Sequence, residues 1–424
     1  MLGSYLGRST GAGALSIWTH YLNDIEYVDW HDGSYSGPAF KLGSGVTGFQ
    51  VLDATSKRNL VVVGGECPTV GLAGGYTQGG GHSALSTSFG LGADQTLSFD
   101  VVTASGDVVT ASQSQNSDLY WALSGGGAGN WGVVLSVTVK AYQDSTVGGG
   151  HVAFASQGPN TTVDKFFDAV TQFHAKLPDM LDAGASVIYQ MTAQSFAIQP
   201  ITAFNQTADD VRSILAPFIS SLDSLGIPYT TNFTEFHSYY DHYNTYMGPL
   251  PYGNLGVDTF SYGGRLIPRS VLTSNTSVSD FGQAIRSISE QGVVVVGNAI
   301  DVSSTSEKPK PSNAVFQPWR DAAITLQIGV LLNESASISS QTQGQMAITN
   351  DFMPQLERIT PGSGAYENEA NFRQDNWQST FFGSNYGQLE SIKQHWDPES
   401  LFYVLKGVGS DAWSVSDDGR MCRQ

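Results

Sequence analysis

The run Gly71–Gly81 carries six glycines in eleven residues, and Gly125-Gly126-Gly127-Ala128-Gly129 repeats the habit further along. Residues without a Cβ weaken long regular elements, so the chain must turn often here and bring backbone close to backbone or to a ligand. Between these clusters the short β-branched runs Lys41–Gly45, Leu60–Val63, Leu97–Thr103, Gly106–Thr110 and Val133–Lys140 read as strands, each bounded by Gly, Asp or Ser. Asp118–Leu123 reads as a short helix, with Asn116 or Ser117 as its N-cap. The first third of the chain is an α+β unit turned by glycine.

From residue 146 the elements lengthen. Apolar residues at helical spacing in Thr161–Lys176, Thr207–Leu225 and Ser277–Gln291 alternate with strand-like Ser186–Thr192 and Val293–Ala299. That alternation predicts a second domain whose sheet is covered by helices on one face. Ser304–Ser312, with Pro309 and Pro311, reads as a loop, and Gln388–Trp396 as a helix that stops before Asp397-Pro398. The expected units are 1–145, 146–360 and a returning segment, 361–424.

Charge limits the partners. Twenty Lys+Arg face 38 Asp+Glu, a net charge of −18, which argues against nucleic acid and anionic membrane, since both need a basic surface. No apolar run approaches the ~18 residues of a membrane span. Charged residues make up only 14%, against about 25% in average soluble chains. With N-x-[ST] sequons at Asn160, Asn205, Asn232, Asn275 and Asn333, this fits a secreted glycoprotein. The first residues nevertheless lack the basic-then-apolar pattern of a signal peptide.

Several chemistries fall away. Cys67 and Cys422 are the only cysteines, too few for a disulfide framework or a cysteine metal cluster. His237 and His242 are five residues apart, not the i, i+4 pair of a helical zinc site, and read as part of an aromatic face; no metal is expected. Gly7-Arg8-Ser9-Thr10-Gly11 has the spacing of a nucleophile elbow but no strand before it. Neither a Walker loop nor a Rossmann fingerprint is present, so the glycine clusters, with Gly11-Ala12-Gly13, read either as turns or as a nucleotide cradle.

Ordered motifs over nearly the whole chain are more specific. Gly65-Glu66-Cys67-Pro68-Thr69-Val70-Gly71, Gly79-Gly80-Gly81-His82, Gly90-Leu91-Gly92-Ala93-Asp94, Asp118–Ala122 and Gly125–Val134 are followed by Tyr366-x-Asn368, Trp377-Gln378, Phe381-Phe382-Gly383-x-Asn385-Tyr386 and Asp397-Pro398-x-x-Leu401-Phe402. This series resembles the berberine-bridge-enzyme-like FAD-linked oxidases of the vanillyl-alcohol-oxidase superfamily. It looks most like the fungal secreted branch described as isoamyl-alcohol-oxidase-like. The resemblance implies an α+β, two-domain FAD-binding fold of that type.

It also implies site residues. Cys67, with Pro68, Thr69 and Val70, falls where many members attach and border the flavin, Cys67 as a nucleophilic thiol forming a thioether and Val70 beside the face that admits oxygen. Gly71, Gly74, Gly75, Thr77, Gly79, Gly80, Gly81 and His82 would hold the cofactor, the glycine loop by its backbone amides, with Asp94, Gly132, Val133, Val134, Asn385 and Tyr386 as further contacts. The histidine that usually carries the principal covalent link is absent: Gly3 stands at that position. The upstream half of the FAD domain is absent too, which suggests an N-terminally truncated chain and leaves Cys422 without an N-terminal partner.

Glu369 stands where related carbohydrate oxidases place a tyrosine base. The expected enzyme is an FAD-dependent oxidase that passes hydride from an alcohol-type substrate to the flavin N5, with Glu369 as base helped by Tyr5 or Tyr366. Dioxygen would be the acceptor and hydrogen peroxide the product. Tyr239, Tyr240 and Tyr243 are candidate pocket walls, and a monomer acting on a small molecule is expected. An oxidase or redox-neutral cyclase of a fungal secondary-metabolite pathway, and a fragment without a complete flavin site, are the alternatives.

Overall fold

The computed structural model describes residues 4–11, 15–254, 260–303, 312–332, 335–416 and 420–424. Gly3, Ala12, Gly13, Asn333 and most of the Ser304–Ser312 loop lie outside the described residues. Within them the chain builds two large antiparallel sheets.

The first sheet contains β1 (Ile25–His31), β2 (Ser36–Gly43), β3 (Thr96–Val102), β4 (Val108–Ser112) and β5 (Val133–Lys140), in the order β1-β2-β5-β3-β4. Phe99, Val101, Val137 and Val139 bury one face with Leu119 and Leu123 of helix α2 (Ser117–Leu123) and with Trp377, Phe381 and Leu389 from the returning segment. Helix α1 (Gly48–Ser56) precedes the cysteine turn and opens with a capping box between Thr47 and Gln50.

The second sheet contains β6 (Val147–Ala155), β7 (Ala185–Met191), β8 (Ser195–Phe204), β9 (Tyr229–Phe236), β10 (Phe260–Pro268), β11 (Val294–Ala299) and β12 (Ala322–Leu331). Its order is β9-β6-β8-β7-β11-β12-β10. Helices α3 (Val163–Asp182), α4 (Ala208–Leu225) and α6 (Asn275–Ser289) cover one face; the short helix α5 (Tyr239–Tyr246) lies outside that layer. Thr162 caps α3 by accepting from the Lys165 amide, and left-handed Gly226 ends α4. Phe166, Phe173, Leu215, Phe218, Phe281 and Ile285 meet Ile324, Leu326 and Ile328 of β12 in one core. Each such side chain stabilises the fold by roughly 1.5–3 kcal/mol.

Strand alternation decides what faces the other way. With Ile324, Leu326 and Ile328 in the helical core, Gln327 turns its amide toward the first unit. With Thr325 it is one of two polar residues in a strand that is buried up to its last two positions.

Two features not read from the sequence have clear causes. Gly148-Gly149-Gly150 lies inside β6. A Cβ at Gly148 would stand 2.5 Å from the Thr207 carbonyl and one at Gly149 2.8 Å from the Tyr246 ring, so the helices press on the strand where side chains would be. β1 escaped notice because it is an edge strand with mixed exposure, lacking a continuous apolar face.

Candidate active site

Segments far apart in sequence meet on the inner face of β10 and β12. The strap Ser4–Thr10 crosses the returning turn Tyr366–Ala370: the Tyr5 amide donates to the Asn368 carbonyl at 2.8 Å. The turn lies so flush on β10 that a Cβ at Gly264 would stand 2.0 Å from the Glu369 carbonyl oxygen.

Glu369 is at the centre. Its side chain is 14% exposed, and both oxygens are engaged: His82 Nε2 approaches Oε1 at 2.8 Å and Gln327 Nε2 donates to Oε2 at 2.6 Å. The Tyr5 hydroxyl donates to Oε1 of the same Gln327 at 3.3 Å, and its ring stacks on Tyr262 at 4.1 Å. Burial, then the Glu369 carboxylate, raises the Tyr5 pKa, so the phenol stays protonated. Tyr366 is placed differently: its hydroxyl accepts from Asn368 Nδ2 at 2.8 Å, and its ring edge packs on Trp319 and His82 as a wall.

His82, expected against the cofactor, lies between two carboxylates, with Nδ1 3.5 Å from Glu66 Oε1. Burial alone would depress its pKa. The Glu369 charge and hydrogen bond, joined by Glu66, outweigh that and raise it well above the usual 6.5.

Cys67 opens a turn closed by the Val70 amide on the Cys67 carbonyl. The turn is docked on the start of α1, where the Gly48 and Phe49 amides donate to Val70 O and Pro68 O; Thr69 is half-buried within it and Gly71 bridges to Thr47. The surroundings of the thiol disfavour its thiolate. Burial, then the Glu66 and Glu369 carboxylates, pushes its pKa up to about 12.

The glycine loop is folded tightly on itself. The amides of Thr77, Gly79 and Gly80 donate to the carbonyls of Gly74, Gly75 and Thr77, closing tight turns and leaving none of the three for a phosphate. The Gly81 carbonyl accepts from Gly92. These glycines make room instead: at Gly81 a Cβ would meet the Tyr76 carbonyl at 2.8 Å.

Of the remaining expected cofactor contacts, Asp94 is held by Arg320 through both guanidinium nitrogens, at 2.6 and 2.8 Å, and by Asn313. Gly132, Val133 and Val134 lie where β5 begins, with Gly132 packed on Val101 and Val102. Asn385 donates to the Ala314 and Val315 carbonyls, and Tyr386 packs on Trp377 and Phe382. Cys422 is exposed on a short hairpin. His242 is a buried core residue bonded to Thr202, and among the described residues no group of three His, Cys, Asp or Glu could hold a metal.

Sequence reasoning missed Gln327, Tyr262 and the pairing of Glu66 with His82. A lone glutamine in a strand that is otherwise apolar or small was the available signal for the first.

Beside this cluster the chain leaves bare backbone. A small cavity of about 10 Å³, lined by Gly64, Gly65, Leu72, Tyr239 and Tyr243 among others, lies next to the turn that carries Cys67. At Gly64 a Cβ would meet nothing within 4 Å, so the wall there is bare backbone. Of the candidate walls Tyr239, Tyr240 and Tyr243, the first and last line this small cavity, and the Tyr243 hydroxyl donates to Gly65 O.

Comparison with known proteins agrees. The family model "FAD binding domain" matches residues 3–112 and "Berberine and berberine like" matches 365–409. FAD-linked oxidoreductase ZEB1 of Gibberella zeae is 49% identical over 419 residues, covering 99% of this chain and 72% of that protein. FAD-linked oxidoreductase patO of Aspergillus clavatus is 46% identical with the same coverage. The crystal structure of the VAO-type flavoprotein MtVAO615 from Myceliophthora thermophila superposes with a TM-score of 0.93 at 39% identity, over 100% of this chain and 76% of that one. The chain belongs to the berberine-bridge-enzyme-like FAD-linked oxidoreductases of the vanillyl-alcohol-oxidase type.

Proposed function

We propose that the protein is an oxidase of an alcohol-type small molecule, with Glu369 as the group that accepts the substrate hydroxyl proton. The observation that carries this reading is the Glu369 carboxylate, nearly enclosed and gripped on both oxygens by His82 and Gln327. A carboxylate oxygen has two acceptor sites, so each keeps one for a proton. FAD supplies the two-electron acceptor when bound, and dioxygen restores it with release of hydrogen peroxide.

The chain's own groups do the positioning. Cationic His82 and the Gln327 amide fix the carboxylate, and the neutral Tyr5 hydroxyl, at the other end of that amide, is placed to bind the substrate oxygen. Stacked Tyr5 and Tyr262 offer an aromatic wall against which the substrate carbon skeleton lies. Loss of the hydroxyl proton to Glu369 leaves an alkoxide-like oxygen that drives hydride from the carbinol carbon, giving a carbonyl product.

The test is peroxide release over a panel of alcohols by the flavin-loaded protein and by Glu369→Gln. The reading expects the variant to lose roughly 10²–10⁴ in kcat with unchanged flavin content. Equal rates would overturn it.

Two further expectations belong to the same reading. Covalent attachment at Cys67 would leave yellow colour with the acid-precipitated protein and release it in Cys67→Ala. Secretion is supported by the exposure of Asn160, Asn205, Asn232 and Asn275, every sequon asparagine among the described residues. A mass loss on treatment of the fungal-expressed protein with an N-glycosidase would bear it out, and an unmodified mass would count against it.

A further inference from the structure

Arg8 and Glu367 form a buried ion pair that the reaction does not use. Arg8 Nη1 meets Glu367 Oε2 at 2.5 Å, with the two side chains only 2% and 3% exposed. The other guanidinium nitrogens are spent on main chain: Nε donates to Leu405 O at 3.1 Å and Nη2 to Lys406 O at 2.9 Å.

A pair in this position is a poor source of stability. Two charges removed from water cost as much as their attraction returns, and apolar replacements of similar volume are often neutral or stabilising. Burial raises the Glu367 pKa although Arg8 opposes it. Oε1 of the same carboxylate has no hydrogen-bond partner among the described residues. The surroundings are nonetheless shaped for it. A Cβ at Gly127 would stand 2.8 Å from Oε2, and one at Gly79 2.9 Å from Oε1. Both glycine clusters therefore open space for a carboxylate of the chain itself.

What the pair controls is register. The strap is fastened to the returning turn at two points, Tyr5 on Asn368 and Arg8 on Glu367. Tyr5 and Glu369 hang from these two segments, and their side chains occupy opposite ends of one Gln327 amide. A slip of one segment on the other must break one of those bonds.

We propose that Arg8 and Glu367 are positioning residues: their ion pair locks the strap on the returning turn and so holds Tyr5 and Glu369 in the geometry that removes the substrate proton. The inference rests on the reading of Glu369 as the base, and the experiment separates the two.

The double variant Arg8→Met/Glu367→Leu removes both charges together and leaves neither unpaired. In the flavin-loaded protein we expect a Tm near that of the unaltered chain. We expect kcat to fall roughly ten- to a hundredfold, the scale of a misplaced catalytic group, while KM moves little. A readout independent of activity is the imidazole ¹⁵N–¹H signal of His82, whose Nε2 is bonded to Glu369; it should shift or broaden. A folded double variant with unchanged kcat and an unchanged His82 signal overturns the proposal, because a merely structural pair predicts that outcome.

Should the double variant fail to fold, Glu367→Gln keeps shape and one acceptor, and is expected to show the same signature to a smaller degree. Unchanged kcat and His82 signal in folded Glu367→Gln overturns the proposal equally. Glu369→Gln is assayed in parallel: wild-type kcat there defeats the assignment of the base, while the His82 signal of the double variant still decides the positioning role.

Discussion

The buried histidines have had their protons settled by their surroundings. His82, between two carboxylates, holds its charge above the ordinary 6.5, whereas His174 and His242, enclosed among aromatic rings and bonded to the Tyr189 and Thr202 hydroxyls, are pushed down to about 3 by burial. The linkage signs are opposite. What His82 contributes is present below 6.5 and lost as pH rises through its folded pKa; what His174 and His242 contribute is present above 6.5 and lost as pH falls toward 3. Urea midpoints are therefore expected to fall progressively from pH 6.5 to pH 4, with His174 and His242 still neutral by ¹⁵N NMR at pH 5; a flat acid limb would contradict their neutral burial. Cys67 gives a second test at this scale. With its pKa near 12 and its side chain half-buried, it should react with iodoacetamide at pH 8 at least about a hundredfold more slowly than exposed Cys422. Comparable labelling rates by peptide mass spectrometry would show that the thiol is activated after all.

At the scale of elements, the site depends on how closely a turn can lie on a strand. Gly264 of β10 faces Gln327 in register and touches the Glu369 main chain, so Gly264→Ala must push the turn away. Overpacking of this kind costs about 1–3 kcal/mol, and here it should lower kcat more than it lowers Tm. Gly79→Ala, whose Cβ would meet Asn368 Nδ2 at 2.4 Å, should act through the same turn. Wild-type activity in both would mean the turn is not held as described. Helical spacing made α3, α4 and α6 legible in the sequence, because their buried residues repeat at three and four. Glu369, Tyr5 and Cys67 were legible through motif likeness, and the first two stand together in the structure. Gln327, Tyr262 and the Arg8–Glu367 pair were not, since strand register and a crossing of segments more than 350 residues apart leave no local pattern. The close approach of Gly79 and Gly127 to Glu367, and of Gly81 to Tyr76, was not legible either, since spacing cannot tell a glycine that approaches a phosphate from one that approaches a side chain.

For the whole molecule, the joint between the two sheets carries its own clamp. Asp94, from the glycine-turned unit, accepts both nitrogens of Arg320, which stands beside β12 of the second sheet. Arg320→Met would leave an uncompensated buried carboxylate at a cost of about 3–5 kcal/mol. Its Tm should drop clearly while Asp94→Asn/Arg320→Met recovers part of the loss; an unchanged Tm in the single variant would show the clamp to be idle. The two-unit architecture was readable in outline, because the change from short β-branched runs to long helical repeats falls between the sheets. The clamp was not, for Asp94 looked like one more residue of a glycine motif. Arg8 reaches carbonyls 397 and 398 positions later in the chain. On a ribosome adding about 5–20 residues per second, roughly 20–80 s separate the synthesis of that arginine from that of its last partner. Both sheets can be complete before the strap finds its place, so the arrangement of Tyr5, Gln327 and Glu369 waits on residues 405 and 406 and does not form domain by domain.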